Sequence, residues 1–265
     1  MLGAIVGDIV GSIYENEDTA IKTKEFPLFS KDCHITDDTI MTLAVCDGIL
    51  NGLLNNEFEA EIKKCLITMG KLYPNAGYGY MFRQWIYSKN NEPYNSYGNG
   101  SAMRVSSIGW IFDSLCDVEK YAEISASVTH NHIEGIKGAK AIASCIFLAR
   151  KKYSKQYIKE YIENKYNYDL NKTCDQIRPD YSRKVSCQES VPQAIICFLD
   201  ASDFEDTLKN AISLGGDSDT LGAMSGSIAQ AYFGIPPKIA HKTLSYLDPL
   251  ERKILVRFNN YIINK

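Results

Sequence analysis

The chain has 265 residues, 45% apolar and 23% charged, ordinary values for a globular protein with a sizeable core, which argues against disorder and predicts one domain over 1–265. A net charge of -3 gives no reason to expect a polyanion-binding, nucleic-acid surface. Eight cysteines without a C-x-x-C pair read as reduced, mostly buried thiols of a cytoplasmic protein, rather than a disulfide framework or a cysteine zinc site.

The chain opens with Gly3, Gly7 and Gly11 at every fourth position. They fall on one helical face, let another backbone come close and predict a buried helix. The segment has no basic leader and is broken by Asp8 and Glu15, so it reads neither as a signal peptide nor as a membrane span, and no other run is long enough to cross a bilayer. Its far end delivers Tyr14-Glu15 to the polar, irregular stretch 16–30. Glu15 reads either as a solvated residue at a helix end or as a carboxylate held over a pocket.

Thr36-Asp37-Asp38-Thr39 comes next, followed by apolar residues at helical spacing as far as Gly52. Helices are predicted over 57–72 and 78–88, separated by Pro74-Asn75-Ala76-Gly77, with a loop over 90–100. Tyr97-Gly98-Asn99-Gly100-Ser101-Ala102-Met103-Arg104 then runs into the apolar segment 105–112. Free N–H groups at such a helix start suit a phosphate or diphosphate, and an ordinary Ser-capped helix accounts for the same residues.

A helix over 118–128 ends in Thr129-His130-Asn131-His132, whose spacing lacks the further ligands of a zinc site. Residues 134–150 read as a long small-residue helix and 151–172 as a tyrosine-rich, partly helical, solvated outer layer. Ser186 to Pro192 open the apolar run 194–199, with the proline expected in a first helical turn. A helix over 203–214 leads into Gly215-Gly216-Asp217-Ser218-Asp219-Thr220, at the start of the small and apolar helix 221–233. Gly234-Ile235-Pro236-Pro237 stops that helix, and 238–265 reads as one or two more. Strand patterns are hard to find, so the chain is expected to be all-α, with about a dozen helices.

The two acidic clusters lie about 180 residues apart and share one chemistry. A single carboxylate at a helix N-terminus stabilises it by a few tenths to ~1 kcal/mol. A second adds repulsion, which a hard cation would relieve. D-x-D alone is weakly specific, and a pair of elaborate caps is the competing reading.

Taken in order, these segments resemble the ADP-ribosylglycohydrolase family over nearly the whole chain. The resemblance rests on 3–15 (GAIVGDIVGSIYE), 36–39 (TDDT), 98–105 (GNGSAMRV), 129–138 (THNHIEGIKG), 186–194 (SCQESVPQA) and 215–222 (GGDSDTLG). It implies an orthogonal all-α multi-helix bundle with a central cleft for two divalent metal ions, Mg2+ or Mn2+. The matching ligands are Thr36, Asp37, Asp38, Asp217, Asp219 and Thr220. Four aspartates carry -4 and two such ions +4, so the ions cancel the repulsion.

The implied activity is hydrolysis of the glycosidic bond between the distal ribose of ADP-ribose and an acceptor, releasing ADP-ribose. Glu15 matches the glutamate that the family places beside the metals, as a substrate-positioning or acid/base group. Asp38 is the second acid/base candidate. Asn99, Gly100, Ser101 and Met103 are expected to line the cleft, with backbone N–H groups meeting the diphosphate, and His130 to border the ADP-ribose. Arg104 reads equally as a phosphate partner or as half of a buried ion pair.

Two departures stand out. Ser12-Ile13-Tyr14 occupy positions where many relatives have a small residue, Pro and Val, and Glu189 stands where relatives often carry Gly. The expected partner is an ADP-ribosylated protein or a small-molecule ADP-ribose conjugate, an ADP-ribosylated base not being excluded, met by a monomer. A non-catalytic ADP-ribose-binding relative and a two-metal phosphohydrolase acting on a diphosphate are the alternative readings.

Overall fold

The computed structural model describes residues 1–265. Helices and their connections make up the chain, and an isolated bridge between Gly98 and Ser186 stands in place of any strand. In order they are α1 (Leu2–Gly11), α2 (Asp37–Asn55), α3 (Phe58–Leu72), α4 (Tyr80–Tyr87), α5 (Gly100–Met103), α6 (Ile108–Ile111), α7 (Leu115–Ser127) and α8 (Ile133–Arg150). Then follow α9 (Lys155–Tyr166), α10 (Cys174–Ile177), α11 (Cys187–Asp200), α12 (Phe204–Ser213), α13 (Ser218–Phe233), α14 (Pro237–Leu244) and α15 (Pro249–Ile263). The fold is all-α as expected; α5, α6 and α10 have four residues each, which leaves twelve longer helices.

The crossing of α1 and α13 organises the rest. Nearly every residue of both helices is buried. Gly3, Gly7 and Gly11 meet Gly226, Gly222 and Asp219 backbone to backbone; a Cβ on Gly222 would stand 2.5 Å from the Gly7 carbonyl oxygen. Only glycines permit this approach, so the every-fourth spacing of the first helix finds its partner here. The crossing brings the end of α1 beside the start of α13, and Ser218 Oγ donates to the Tyr14 carbonyl at 3.2 Å. Around it α2, α8, α11 and α12 pack their apolar faces, and a continuous core runs from Met1 to Phe258.

Several expectations are corrected. Helix α1 stops at Gly11, so Glu15 lies on the turn beyond it. Ser12 closes that end: its hydroxyl donates to the Ile9 carbonyl and accepts the His34 N–H. The segment after Gly98 does not continue as one helix, because α5 ends at Met103 and the chain turns at the fully buried Arg104 before α6. Pro192 sits inside α11 rather than in its first turn. That helix opens earlier, at Ser186, whose carbonyl takes the N–H groups of Glu189 and Ser190.

The tyrosine-rich layer is only partly solvated. Ile158, Ile162, Tyr166 and Tyr168 are buried, and the Tyr161 and Tyr166 hydroxyls both donate to Glu119, at 2.6 and 2.8 Å. All eight cysteines are free thiols and all but Cys116 are buried. No helix is long and apolar enough to cross a membrane.

Candidate active site

The first cluster is held from below by α1. Asp8, in the apolar first helix, is fully buried and accepts from Thr36 Oγ1 (2.6 Å), Thr36 N (3.1 Å) and Thr39 N (3.0 Å). Thr36 in turn accepts the Asp38 N–H at 3.3 Å. Asp8 and Thr36 therefore cap α2 between them. The side chains of Asp37 and Asp38 are left free of that duty, which removes the paired-cap reading here.

At the second cluster Asp217 precedes α13 without capping it. Its Oδ2 accepts from Asn99 Nδ2 at 2.8 Å and its Oδ1 from Arg183 Nε at 3.1 Å. Asp219 Oδ1 takes the Thr220 N–H at 2.8 Å. Thr220 Oγ1 donates to Asp38 Oδ2 at 3.0 Å, so the two clusters meet. Carboxylate oxygens of Glu15, Asp217 and Asp219 lie within 4.8 Å of one another.

So many buried acids repel one another. Burial first, then Asp8 and Asp217, pushes the Asp37 carboxyl up to about 7. Burial and then Asp219 raise Asp38 well above the carboxylate range, and burial and then Asp217 and Glu15 do the same to Asp219. Asp38 Oδ1 is buried without any hydrogen-bond partner. An orphaned oxygen among carboxylates that resist ionisation, with only oxygen donors around it, is a site suited to hard cations. The residues fit a divalent metal.

These acids line a cavity of about 350 Å³ together with Asn99, Gly100, Met103 and His130. A larger depression of about 530 Å³, between Glu134, Tyr168 and Gln188, contains none of them, and the acid-lined cavity is the candidate site. Two expected residues stay out of the cavity. Ser101 is fully buried and gives its hydroxyl to the Gly135 carbonyl at 2.8 Å, and Thr36 is turned toward Asp8. The Asn99 N–H, expected to be open to an anion, donates to the Val185 carbonyl at 2.8 Å.

Set beside known proteins, the family model described as ADP-ribosylglycohydrolase matches residues 1–260. The chain belongs to the ADP-ribosylglycohydrolase family. ADP-ribosylhydrolase ARH3 of Homo sapiens is 28% identical to it, over 89% of this chain and 84% of the relative. The ADP-ribosyl-(dinitrogen reductase) glycohydrolase of Rhodospirillum rubrum is 26% identical, over 96% and 90%. A solved ADP-ribosylglycohydrolase-related protein complex superimposes with a TM-score of 0.72 at 19% identity, over 98% of this chain and 93% of its own, and shares the fold. As a member of a hydrolase family, the chain is an enzyme.

Within this ADP-ribosylglycohydrolase fold, His130 is buried and kept neutral by desolvation, with the nearby Arg104 charge adding to the effect. Its Nδ1 lies 2.7 Å from Thr129 Oγ1, and its Nε2 would stand 3.3 Å from a Cβ on Gly100, so the ring backs the glycine turn. Arg104 pairs with no carboxylate: Nη2 donates to the Ser125 carbonyl (2.9 Å) and Thr129 Oγ1 (2.8 Å). Glu189 is about half exposed, accepts from Ser186 Oγ at 2.7 Å and pairs with Lys184 at 3.4 Å, away from the cavity.

Sequence reasoning passed over Asp8, Arg183 and the rim residues Tyr80, Met81 and Val185. Asp8 had a signal, an acid inside a helix otherwise apolar or glycine. Arg183 and the rim had none, being loop or exposed residues without periodicity.

Proposed function

We propose that this enzyme is a metal-dependent hydrolase that cleaves the bond between the distal ribose of ADP-ribose and an acceptor, releasing ADP-ribose. One observation carries the reading: the Thr220 to Asp38 hydrogen bond, which joins the acidic helix starts at the floor of a cavity walled by the Gly98 to Met103 turn. Asp37, Asp38, Asp217, Asp219 and Thr220, which line the cavity, would hold two divalent ions, magnesium or manganese, with Thr36, whose hydroxyl is turned toward Asp8, as the sixth ligand. Divalent ions held there would supply Lewis-acid chemistry, favouring ribose hydroxyl oxygens as partners and making water a better nucleophile at neutral pH.

The chain's own groups do the rest. Thr220 donates its hydroxyl hydrogen to Asp38 and Thr36 donates its own to Asp8; Thr220 Oγ1 keeps its lone pairs for a cation, and Thr36 Oγ1, which also accepts the Asp38 N–H, keeps one. Asn99 fixes the orientation of Asp217. Glu15, with 29% of its side chain exposed, faces the cavity and can exchange protons with both substrate and solvent.

Water adds to the anomeric carbon as the bond to the acceptor breaks; Glu15 or Asp38 accepts the water proton, and that proton passes on to the acceptor atom, which leaves protonated and returns the carboxylate to its starting state. The surrounding carboxylates favour the positive charge that grows on the ribose ring. Gly100, Met103 and the His130 ring form the wall for the rest of the nucleotide. The protein acts as one domain over 1–265 and as a monomer, in a reducing cytoplasm that keeps its thiols free. Its substrate is an ADP-ribosylated protein or a small ADP-ribose conjugate.

Mass analysis of products from ADP-ribosylated arginine and serine peptides, with magnesium or manganese, tests this. Intact ADP-ribose is expected. AMP with ribose phosphate, or undiminished turnover in excess chelator, contradicts it.

A further inference from the structure

We infer that Arg183 is a tethered counter-cation which closes the acidic site in the metal-free protein and must yield Asp217 when metal binds. The inference rests on the metal reading above. Arg183 Nη2 lies 3.1 Å from Asp217 Oδ1 and 3.8 Å from Glu15 Oε2, while its Nε donates to the same Asp217 oxygen. Those two carboxylates belong to the trio whose oxygens converge within 4.8 Å. No other lysine or arginine is paired with any acid of the site. The guanidinium and a metal ion therefore ask for the same oxygens.

The placement of Arg183 is built in. Lys22 Nζ, donating to the carbonyls of Arg178 (2.8 Å), Tyr181 and Leu214 (2.5 Å), ties one end of the segment that bears Arg183 to the strand of chain entering the second cluster. The other end is held where Val185 O accepts the Asn99 N–H and the Cys187 N–H donates to Tyr97 O. Between these anchors Arg183 lines the cavity with 43% of its side chain exposed, which leaves it room to turn toward solvent. A charge tethered this closely acts at a high effective concentration, and every molecule in the closed state is one that metal must first open. The arrangement keeps the metal-free site from expanding under its own repulsion, at the cost of weaker metal binding.

Titration of chelator-stripped protein with manganese chloride, followed by the resonance signal of the free ion, reads this without any turnover. Arg183→Gln should bind manganese about three- to tenfold more tightly than the unmodified protein, the factor expected if the closed form holds most of the metal-free population. The same variant should melt at a lower temperature in chelator. Arg183→Lys, which keeps the charge, should fall between the two. Lys184→Gln, which removes a neighbouring charge paired with Glu189 instead, should leave the affinity unchanged.

Equal or weaker binding by Arg183→Gln overturns the inference. Equal tightening by Lys184→Gln also overturns it, since net charge alone would then be the cause. An unmodified protein that takes up no manganese contradicts the metal reading itself, a distinct result.

Discussion

Thr220 Oγ1 donates to Asp38 Oδ2 at 3.0 Å, across 182 positions of the chain. That bond exists because two glycine faces let α1 and α13 cross in backbone contact, while Asp8 on α1 holds the start of α2. The same helix therefore serves both acidic clusters, packing against one and capping the other. Four further predictions follow from this arrangement, in addition to the manganese titrations of the Arg183 variants.

Asp38→Asn and Asp217→Asn should each lower turnover at least about 100-fold, since on the proposed metal reading both remove a ligand carboxylate and second-sphere losses alone cost about 10- to 100-fold. Helical circular dichroism should be retained. In chelator at alkaline pH, where the acids of the free site give up their protons, Asp38→Asn should melt at a higher temperature than the unmodified protein, because the amide cannot add a buried charge to a repelling cluster.

Gly222→Ala should be far more harmful than its one methyl suggests. The new Cβ would stand 2.5 Å from the Gly7 carbonyl oxygen, and neither backbone can give way. A loss of about 3 kcal/mol is expected in urea unfolding, the upper end of overpacking costs. Turnover should fall as well, because Glu15 and Asp219 are placed by that crossing.

Asp8→Ala should cost about 1–3 kcal/mol in unfolding measured with saturating metal, the penalty for buried donors at Thr36 and Thr39 left without an acceptor. The start of α2 then frays, and metal affinity should drop with it. Retention of both properties would mean that Asp8 does not position the first cluster.

The metal affinity should rise with pH. Asp37 is pushed up to about 7, and Asp38 and Asp219 higher still than ordinary carboxylates, so metal binding displaces protons that the free site holds near neutrality. In the metal-free fold these acids have pKa values above their unfolded value of 3.8. The Asp37 contribution to stability is therefore fully present below that value and is lost as pH rises through about 7, and those of Asp38 and Asp219 are lost in the same direction as they ionise. The rise in melting temperature produced by metal should accordingly be larger at pH 8 than at pH 6. The difference between loaded and free protein is the quantity to measure, since Glu251 on α15, also raised to about 7, contributes to both.

Much of this was legible in the chain. Thr36 to Thr39 and Gly215 to Thr220 announce helix starts, the first capped by Thr36 and the second left uncapped by Asp217, and Gly3, Gly7 and Gly11 announce a close crossing through their spacing. What local pattern could not give was the partner of that crossing, and so the meeting of Asp38 with Thr220. The direction of Ser101 was hidden because it depends on a four-residue helix that ends at Met103. Pro192 misled because proline is expected near a helix start, whereas here Ser186 begins the helix earlier and the proline is carried inside. Arg183 belongs to a loop whose path is set by contacts with Lys22 and Asn99, far away in sequence.

The most direct test is a crystal of the protein grown with manganese and measured for anomalous scattering. Two peaks between the Asp37, Asp38 pair and the Asp217, Asp219 pair, with Arg183 moved off Asp217, are predicted. An empty acidic site at saturating manganese, or ions bound only elsewhere on the molecule, would contradict the account.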